Sequence, residues 1–436
     1  RLGYEENTLV VYIWGDNGSS GEGQDGTISE LLAQNSIASE IEQHIEVLNG
    51  LGGLDALGSP LVDNMYHAGW AWAGSTPYQG MKLMASYLGG TRNPMMVKWP
   101  KGIKPDPKPR AQFHHCNDLV PTIYELVGIT PPKMVNGVTQ DPIHGTSFAY
   151  AFNAPDAPGE LKTQFFDIFG SRSIYHEGWM AGAVGPRLPW VKGVDPDILT
   201  WSPNTDEWEL YNLEEDWSQA NNIADQHPEK LQAMKNQFLV ESAKYKNLPI
   251  GGGLWTVIFH PELKVAPDAK SWELPGNITR IPEPCAPRLG CLNNKVVLDL
   301  EIPDNGTGVL YEFGANSGGL TLYMDEGMLI YEYNLFIIER TKLRSAQPLP
   351  AGRHKLEIVT QHTDDNPRGP LSIKVSLNGS QVIDGTVPRV AAVLFTANDC
   401  LDVGQALGSP VSLDYHERAP FKFNGAIHTM HVEYLD

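Results

Sequence analysis

The first apolar run of the chain is short and continuous. Seven of the eight residues from Thr8 to Gly15 are apolar, β-branched or aromatic. Such a run predicts a strand buried on both faces, as in a parallel sheet. It ends in Asp16-Asn17-Gly18, and a Gly/Ser-rich loop continues to Gly26. A helical stretch is predicted over about 29–48, then a long irregular loop rich in Gly, Trp and Tyr over 50–80. Pro94-Met95-Met96-Val97-Lys98-Trp99 reads as a second buried strand. Asn117-Asp118-Leu119-Val120-Pro121 opens a helix with Ile123, Leu126 and Val127 on its apolar face and Gly128 as its stop. A buried strand this close to the first residue predicts that its domain begins upstream.

The pattern changes near residue 133. Phe165–Phe169, Ser173–Tyr175 and Trp208–Leu213 read as antiparallel strands. Pro228 opens an amphipathic helix with Leu231, Met234, Phe238 and Tyr245 at helical spacing. Residues 261–290 contain six prolines and read as a linker. Beyond them the chain is all-β, with strands at Val296–Leu300, Gly319–Tyr323, Lys355–Val359 and Ile373–Leu377. Asn378-Gly379 is a two-residue hairpin signal. The expected fold is α/β, followed by a small α+β subdomain and a C-terminal β-sandwich or jelly roll. The boundaries expected are 1–132, 133–260, a linker over 261–290, and 291–436.

Composition narrows the function. The formal net charge of −20 excludes a general nucleic-acid or anionic-membrane surface. An anionic small substrate stays compatible, because a metal and one or two lysines reverse the sign locally. No apolar run reaches membrane-spanning length. Four cysteines are too few for a disulfide framework, although Cys285 and Cys291 are close enough to bridge. In open α/β sheets the chemistry lies outside the carboxyl ends of strands, which is where Asp16 and Asn17 fall. Their carboxylate and amide oxygens suit a hard cation such as Ca²⁺ or Mg²⁺. Asp-Asn-Gly by itself is equally an ordinary turn.

Further segments follow in order: Thr76-Pro77-Tyr78-Gln79-Gly80-Met81-Lys82, Gly89-Gly90-Thr91-Arg92-Asn93-Pro94, His115-Cys116-Asn117-Asp118-Leu119-Val120-Pro121-Thr122 and Glu209-Leu210-Tyr211-Asn212-Leu213. As an ordered set they resemble the second half of the type I, formylglycine-dependent sulfatases. The likeness is greatest to large bacterial arylsulfatases with a C-terminal jelly roll. Leu401-Asp402-Val403-Gly404 and Gly408-Ser409-Pro410-Val411 are similar to the closing part of that jelly roll.

The resemblance implies part of an alkaline-phosphatase-like sheet and a sulfuric ester hydrolase. It implies that a formylglycine hydrate, made from cysteine in a Cys-x-Pro-x-Arg motif, attacks sulfur beside Ca²⁺ or a similar cation. Asp16 and Asn17 match the family's late metal-ligand pair, and Lys82 its late sulfate-contacting lysine. One departure is Leu88 before Gly89, where the family often has Glu. Lys98 is a competing lysine. Cys285-Ala286-Pro287-Arg288 misses the nucleophile motif because its arginine stands one place early. The nucleophile is therefore expected in an N-terminal half outside this sequence, and the chain alone is expected to be inactive. His114, His115 and His176 read as structural. The substrate implied is a sulfate ester small molecule or a sulfated sugar. Phosphate or phosphonate ester hydrolysis is the alternative within the superfamily. A non-catalytic carbohydrate-binding or oligomerisation role of the sandwich is the alternative outside it.

Overall fold

The computed structural model describes residues 3–435 except 16, 25, 30, 36, 192–200, 252–268 and 397. The chain divides into two compact units: 1–21, 69–189 and 195–263 form one, and 22–68, 190–194 and 264–436 the other.

In the first unit, β1 (Val10–Ile13) pairs antiparallel with β2 (Met95–Lys98) in a two-stranded sheet. This corrects the buried parallel strand expected from the apolar run. A continuous apolar run is buried on both faces only where neighbours cover both. Here Val10, Tyr12 and Met96 stay exposed, alternating with half-covered residues. The short ladder of β3 (Met134–Val135) and β4 (Val138–Thr139) is exposed. A four-stranded antiparallel sheet then runs in chain order: β5 (Thr163–Ile168), β6 (Ser171–His176), β7 (Trp179–Ala183) and β8 (Glu209–Asn212). The helix Pro228–Lys244 buries Met234 and Phe238 with Ile174, Ala181 and Leu210 of this sheet.

The helix Leu119–Val127 ends at Gly128 with φ +68°, as a left-handed stop requires. Its buried side is not the apolar one, however. Thr122 is buried, donating to the Asp118 carbonyl at 2.6 Å and accepting from the Phe148 amide at 2.9 Å. Ile123 and Val127 face out because these polar bonds orient the helix.

In the second unit the stretch 29–48 is two helices, Leu31–Gln34 and Ile41–Gly50. The Asn35 side chain accepts from the Val393 and Leu394 amides and so takes part in contacts outside the helix. A capping box between Glu40 and Gln43 then starts the next helix. The stretch 50–80, read as an irregular loop, contains a helix, Ala68–Ser75, all but its first residue in the first unit.

The proline-rich stretch is partly strand: β9 (Ser271–Pro275) and β10 (Ile281–Pro282). They are followed by β11 (Asn294–Ile302), β12 (Gly308–Ala315), β13 (Gly318–Asp325), β14 (Met328–Leu335), β15 (Glu339–Arg344), β16 (Gly352–His362), β17 (Leu371–Leu377), β18 (Ser380–Val387), β19 (Cys400–Val403) and β20 (Ala426–Tyr434). Two antiparallel sheets result, in the orders β10-β19-β12-β13-β14-β15 and β18-β17-β16-β11-β20-β9. Their inner faces share one core, with Leu298 and Ile358 from one sheet and Phe313, Leu322 and Tyr331 from the other. Asn378 and Gly379 take φ +49° and +84°, the pair of left-handed residues that a tight hairpin turn requires. All four cysteines are free, so Cys285 and Cys291 do not bridge.

A polar row crosses the first sheet: Asp402, Glu312, Thr321, Glu332 and Lys342 are cross-strand neighbours in turn. Arg340 and Lys342 neutralise Glu332 at 3.1 and 3.5 Å. Glu312 instead accepts from the Val411 amide at 2.9 Å and from the Tyr415 hydroxyl. Burial dominates these bonds and pushes its carboxyl up to about 8. The folded state therefore keeps a proton that the unfolded chain loses above about 4.5. The resulting stability is complete below that pH and fades as the pH rises through about 8. Thermal melts across this window are expected to show a declining midpoint in the wild type. Glu312→Gln flattens that slope.

Candidate functional site

Asp16 lies outside the described residues. Asn17 follows it in an exposed turn between Gly15 (φ +66°) and Gly18 (φ +83°). A Cβ on Gly18 would stand 2.1 Å from the Gly89 carbonyl oxygen, so two backbones meet here with no room for a side chain. One residue further, the Ser19 carbonyl accepts from the Lys82 amide at 3.0 Å. The Asn17 turn and the Lys82 loop are therefore adjacent along their main chains.

The Lys82 loop is wound tightly. Its turns are closed by Met84 N to Met81 O at 3.0 Å, Tyr87 N to Met84 O at 3.2 Å and Gly89 N to Gln79 O at 2.9 Å. Met81, Met84, Ala85 and Leu88 are buried while Lys82 is only half-buried. Leu83, next to it, takes φ +75°, a strained conformation for a branched residue. A Cβ on Gly89 would stand 2.2 Å from the Gln79 carbonyl oxygen, and one on Gly90 2.3 Å from that of Met84.

The four-stranded sheet holds this loop. Ser173 donates to the Ala85 carbonyl at 2.5 Å, and the Ser86 amide donates to Ser171 at 3.3 Å. The Leu88 amide donates to the Gln219 side-chain oxygen at 2.7 Å. Tyr211 donates to Glu209 at 2.7 Å, and Tyr87 also lies near that carboxylate. Burial, reinforced by Glu209, pushes both phenols well above their ordinary range. Sequence reasoning missed Gln219, Tyr87 and the two serines. For Gln219 the signal was the turn after β8, Asp216-Trp217-Ser218-Gln219, which reads as local turn chemistry only.

The remaining candidates are accounted for structurally. Lys98 pairs with Glu5 at 3.0 Å on the surface. His115 accepts from the Asn117 amide at 3.3 Å, and His114 lies against Phe148 and Tyr150. Burial lowers both histidines against a smaller opposing pull from Asp118. His176 shares a hydrogen bond with Thr163 at 2.8 Å.

Among the described residues no group of three or more His, Cys, Asp and Glu converges as a metal site. A hard cation takes about six to eight oxygens, and Asn17 offers one side-chain oxygen. The described donor set therefore falls short of a complete divalent-cation site. No described helix is long and apolar enough to cross a membrane.

Comparison with known proteins bears on this loop pair. Residues 1–129 match the Sulfatase family model. An uncharacterized sulfatase of Schizosaccharomyces pombe is 26% identical over 248 residues, covering 56% of this chain and 39% of that relative. An N-acetylgalactosamine-6-O-sulfatase of Bacteroides thetaiotaomicron is 28% identical over 198 residues, covering 42% of this chain and 34% of that sulfatase. The chain thus spans less than half the length of either relative. A solved Bacteroides thetaiotaomicron structure from a locus for glycosaminoglycan metabolism aligns at 22% identity over 42% of this chain and 35% of its own. Its TM-score of 0.31 is too low to bear on the fold.

Gly18, against the Gly89 carbonyl, and Gly89, against the Gln79 carbonyl, each lack room for a Cβ. Gly18→Ala and Gly89→Ala are each expected to destabilise the first unit by about 1–3 kcal/mol, the usual range for overpacking. Urea unfolding followed by tryptophan fluorescence checks this. Gly50→Ala, where a Cβ meets open space, serves as the neutral control.

Proposed function

We propose that this chain is the C-terminal portion of a formylglycine-dependent sulfuric ester hydrolase acting on aryl sulfates or sulfated sugars. The observation that carries the reading is a coincidence of two independent things. The Sulfatase match covers residues 1–129, and within it the Asn17 turn and the Lys82 loop are joined backbone to backbone at Ser19.

In this reading Lys82 stabilises negative charge on the sulfate ester or its leaving oxygen. A donor of that kind contributes roughly 10²–10³ in rate. Asn17, with Asp16, offers hard oxygen donors that suit Ca²⁺. The other ligands and the nucleophile come from an N-terminal half. The nucleophile supplies the covalent path that an ammonium cannot begin.

The test is an aryl sulfate assay with added Ca²⁺ on two proteins: the 436-residue chain alone, and the same chain joined to its N-terminal half. The first is expected to be inactive and the second active. In the active protein Asp16→Ala abolishes turnover, and Lys82→Ala lowers it by about 10²–10³-fold. Robust metal-dependent release by the chain alone would overturn this assignment of the site. Faster release from an aryl phosphate than from the sulfate would replace it with phosphate ester hydrolysis.

A further inference from the structure

We infer that Gln219 is a positioning residue that fixes the Lys82 loop for ester hydrolysis, an inference that rests on the sulfatase reading of Lys82. Gln219 ties both ends of that loop. Its side-chain oxygen accepts from the Leu88 amide at 2.7 Å, and its main-chain carbonyl accepts from the Gln79 side chain. Gln79 and Leu88 bracket the strained Leu83 and its neighbour Lys82. They also flank the Gly89 contact with Gly18 that brings the Asn17 turn alongside. A shift at either end of the loop therefore reaches Lys82 directly.

Gln219 is held in a way that stability alone does not favour. It is fully buried, yet its side-chain nitrogen has no hydrogen-bond partner. Its φ is +59°, a left-handed conformation outside the usual range for glutamine. Both features are destabilising. They persist because the preceding turn is over-determined. The Gln219 amide donates to the Asp216 carbonyl at 3.2 Å. The Asp216 carboxylate accepts from the Ala220 amide at 2.9 Å, the Asn221 amide at 2.8 Å and the Ser218 hydroxyl at 3.2 Å. Desolvation opposes these bonds at Asp216, but together they hold its carboxyl below the usual range. A rigid turn thus aims an acceptor at the Leu88 amide, while the opposite end of the same amide group goes unused.

The experiment is performed on the chain joined to its N-terminal half, with an aryl sulfate as probe. Gln219→Met removes the acceptor and keeps the volume, whereas Gln219→Glu keeps an acceptor oxygen. Gln219→Met is expected to lower kcat by about 10–100-fold, the scale of a misplaced catalytic group, with KM nearly unchanged. Gln219→Glu restores most of that loss. Lys82→Ala/Gln219→Met is expected to be no slower than Lys82→Ala, because both changes act through one group.

Additive losses, or a loss explained wholly by a smaller folded fraction, would make Gln219 a merely structural residue. If Gln219→Met does not fold, Gln79→Ala cuts the other tie and is expected to lower kcat in the same direction; unchanged kcat there counts against the inference. Tryptic cleavage after Lys82 in the 436-residue chain gives a readout independent of activity. Cleavage is expected to accelerate in Gln219→Met and not in Gln219→Glu. If Lys82→Ala leaves turnover unchanged, the sulfatase reading fails, and cleavage alone then decides whether Gln219 holds the loop.

Discussion

The first unit depends on one contact that admits no side chain, the packing of Gly18 against Gly89. A Cβ on Gly18 would stand 2.1 Å from the Gly89 carbonyl oxygen, and Gly89 itself has no room for one, with the Gln79 carbonyl oxygen of its own loop 2.2 Å away. Because the backbones touch, the Ser19 carbonyl reaches the Lys82 amide, and the Asn17 turn lies beside the Lys82 loop. The loop in turn leans on the four-stranded sheet through Ser173 and Ser171, and on the turn after β8 through Gln219. The constraint is steric rather than electrostatic. Ionic strength should therefore leave this geometry in place while it changes any attraction between charged groups held there.

The second unit solves a different problem. Its two sheets bury their inner faces against one another, which leaves a polar row on the far side of the β10–β15 sheet. Glu332 in that row is compensated by Arg340 and Lys342. Glu312 is compensated by hydrogen bonds alone and is held in its neutral form by burial. Buried polar groups cost stability unless they are satisfied, so this row fixes the path of the segment carrying Val411 and Tyr415.

Much of this was legible in the sequence where local chemistry decides the outcome. Asn378-Gly379 formed the hairpin because only left-handed residues fit that turn. Pro228 began a helix whose spaced Met234 and Phe238 are buried. Where tertiary partners decide, the reading failed. The Thr8–Gly15 run suited burial on both faces, but its observed partner is a single antiparallel strand. Ile123 and Val127 were read as a core face, yet Asp118 and Thr122 turned the helix the other way. Lys82 was singled out from its motif, and the Ser19 bond sets its main chain beside the Asn17 turn. Gln219 was not, because what distinguishes it is a long-range bond to the Leu88 amide, which no local pattern announces.

The most direct test of the account is a crystal structure of the chain joined to its N-terminal half, grown with Ca²⁺ and inorganic sulfate. The account predicts oxygens of Asp16 and Asn17 at about 2.3–2.6 Å from the cation. It predicts the Lys82 ammonium within hydrogen-bonding distance, about 2.7–3.2 Å, of a sulfate oxygen. Sulfate bound elsewhere, with Lys82 directed away from it and the cation held by other residues, would contradict the central claim.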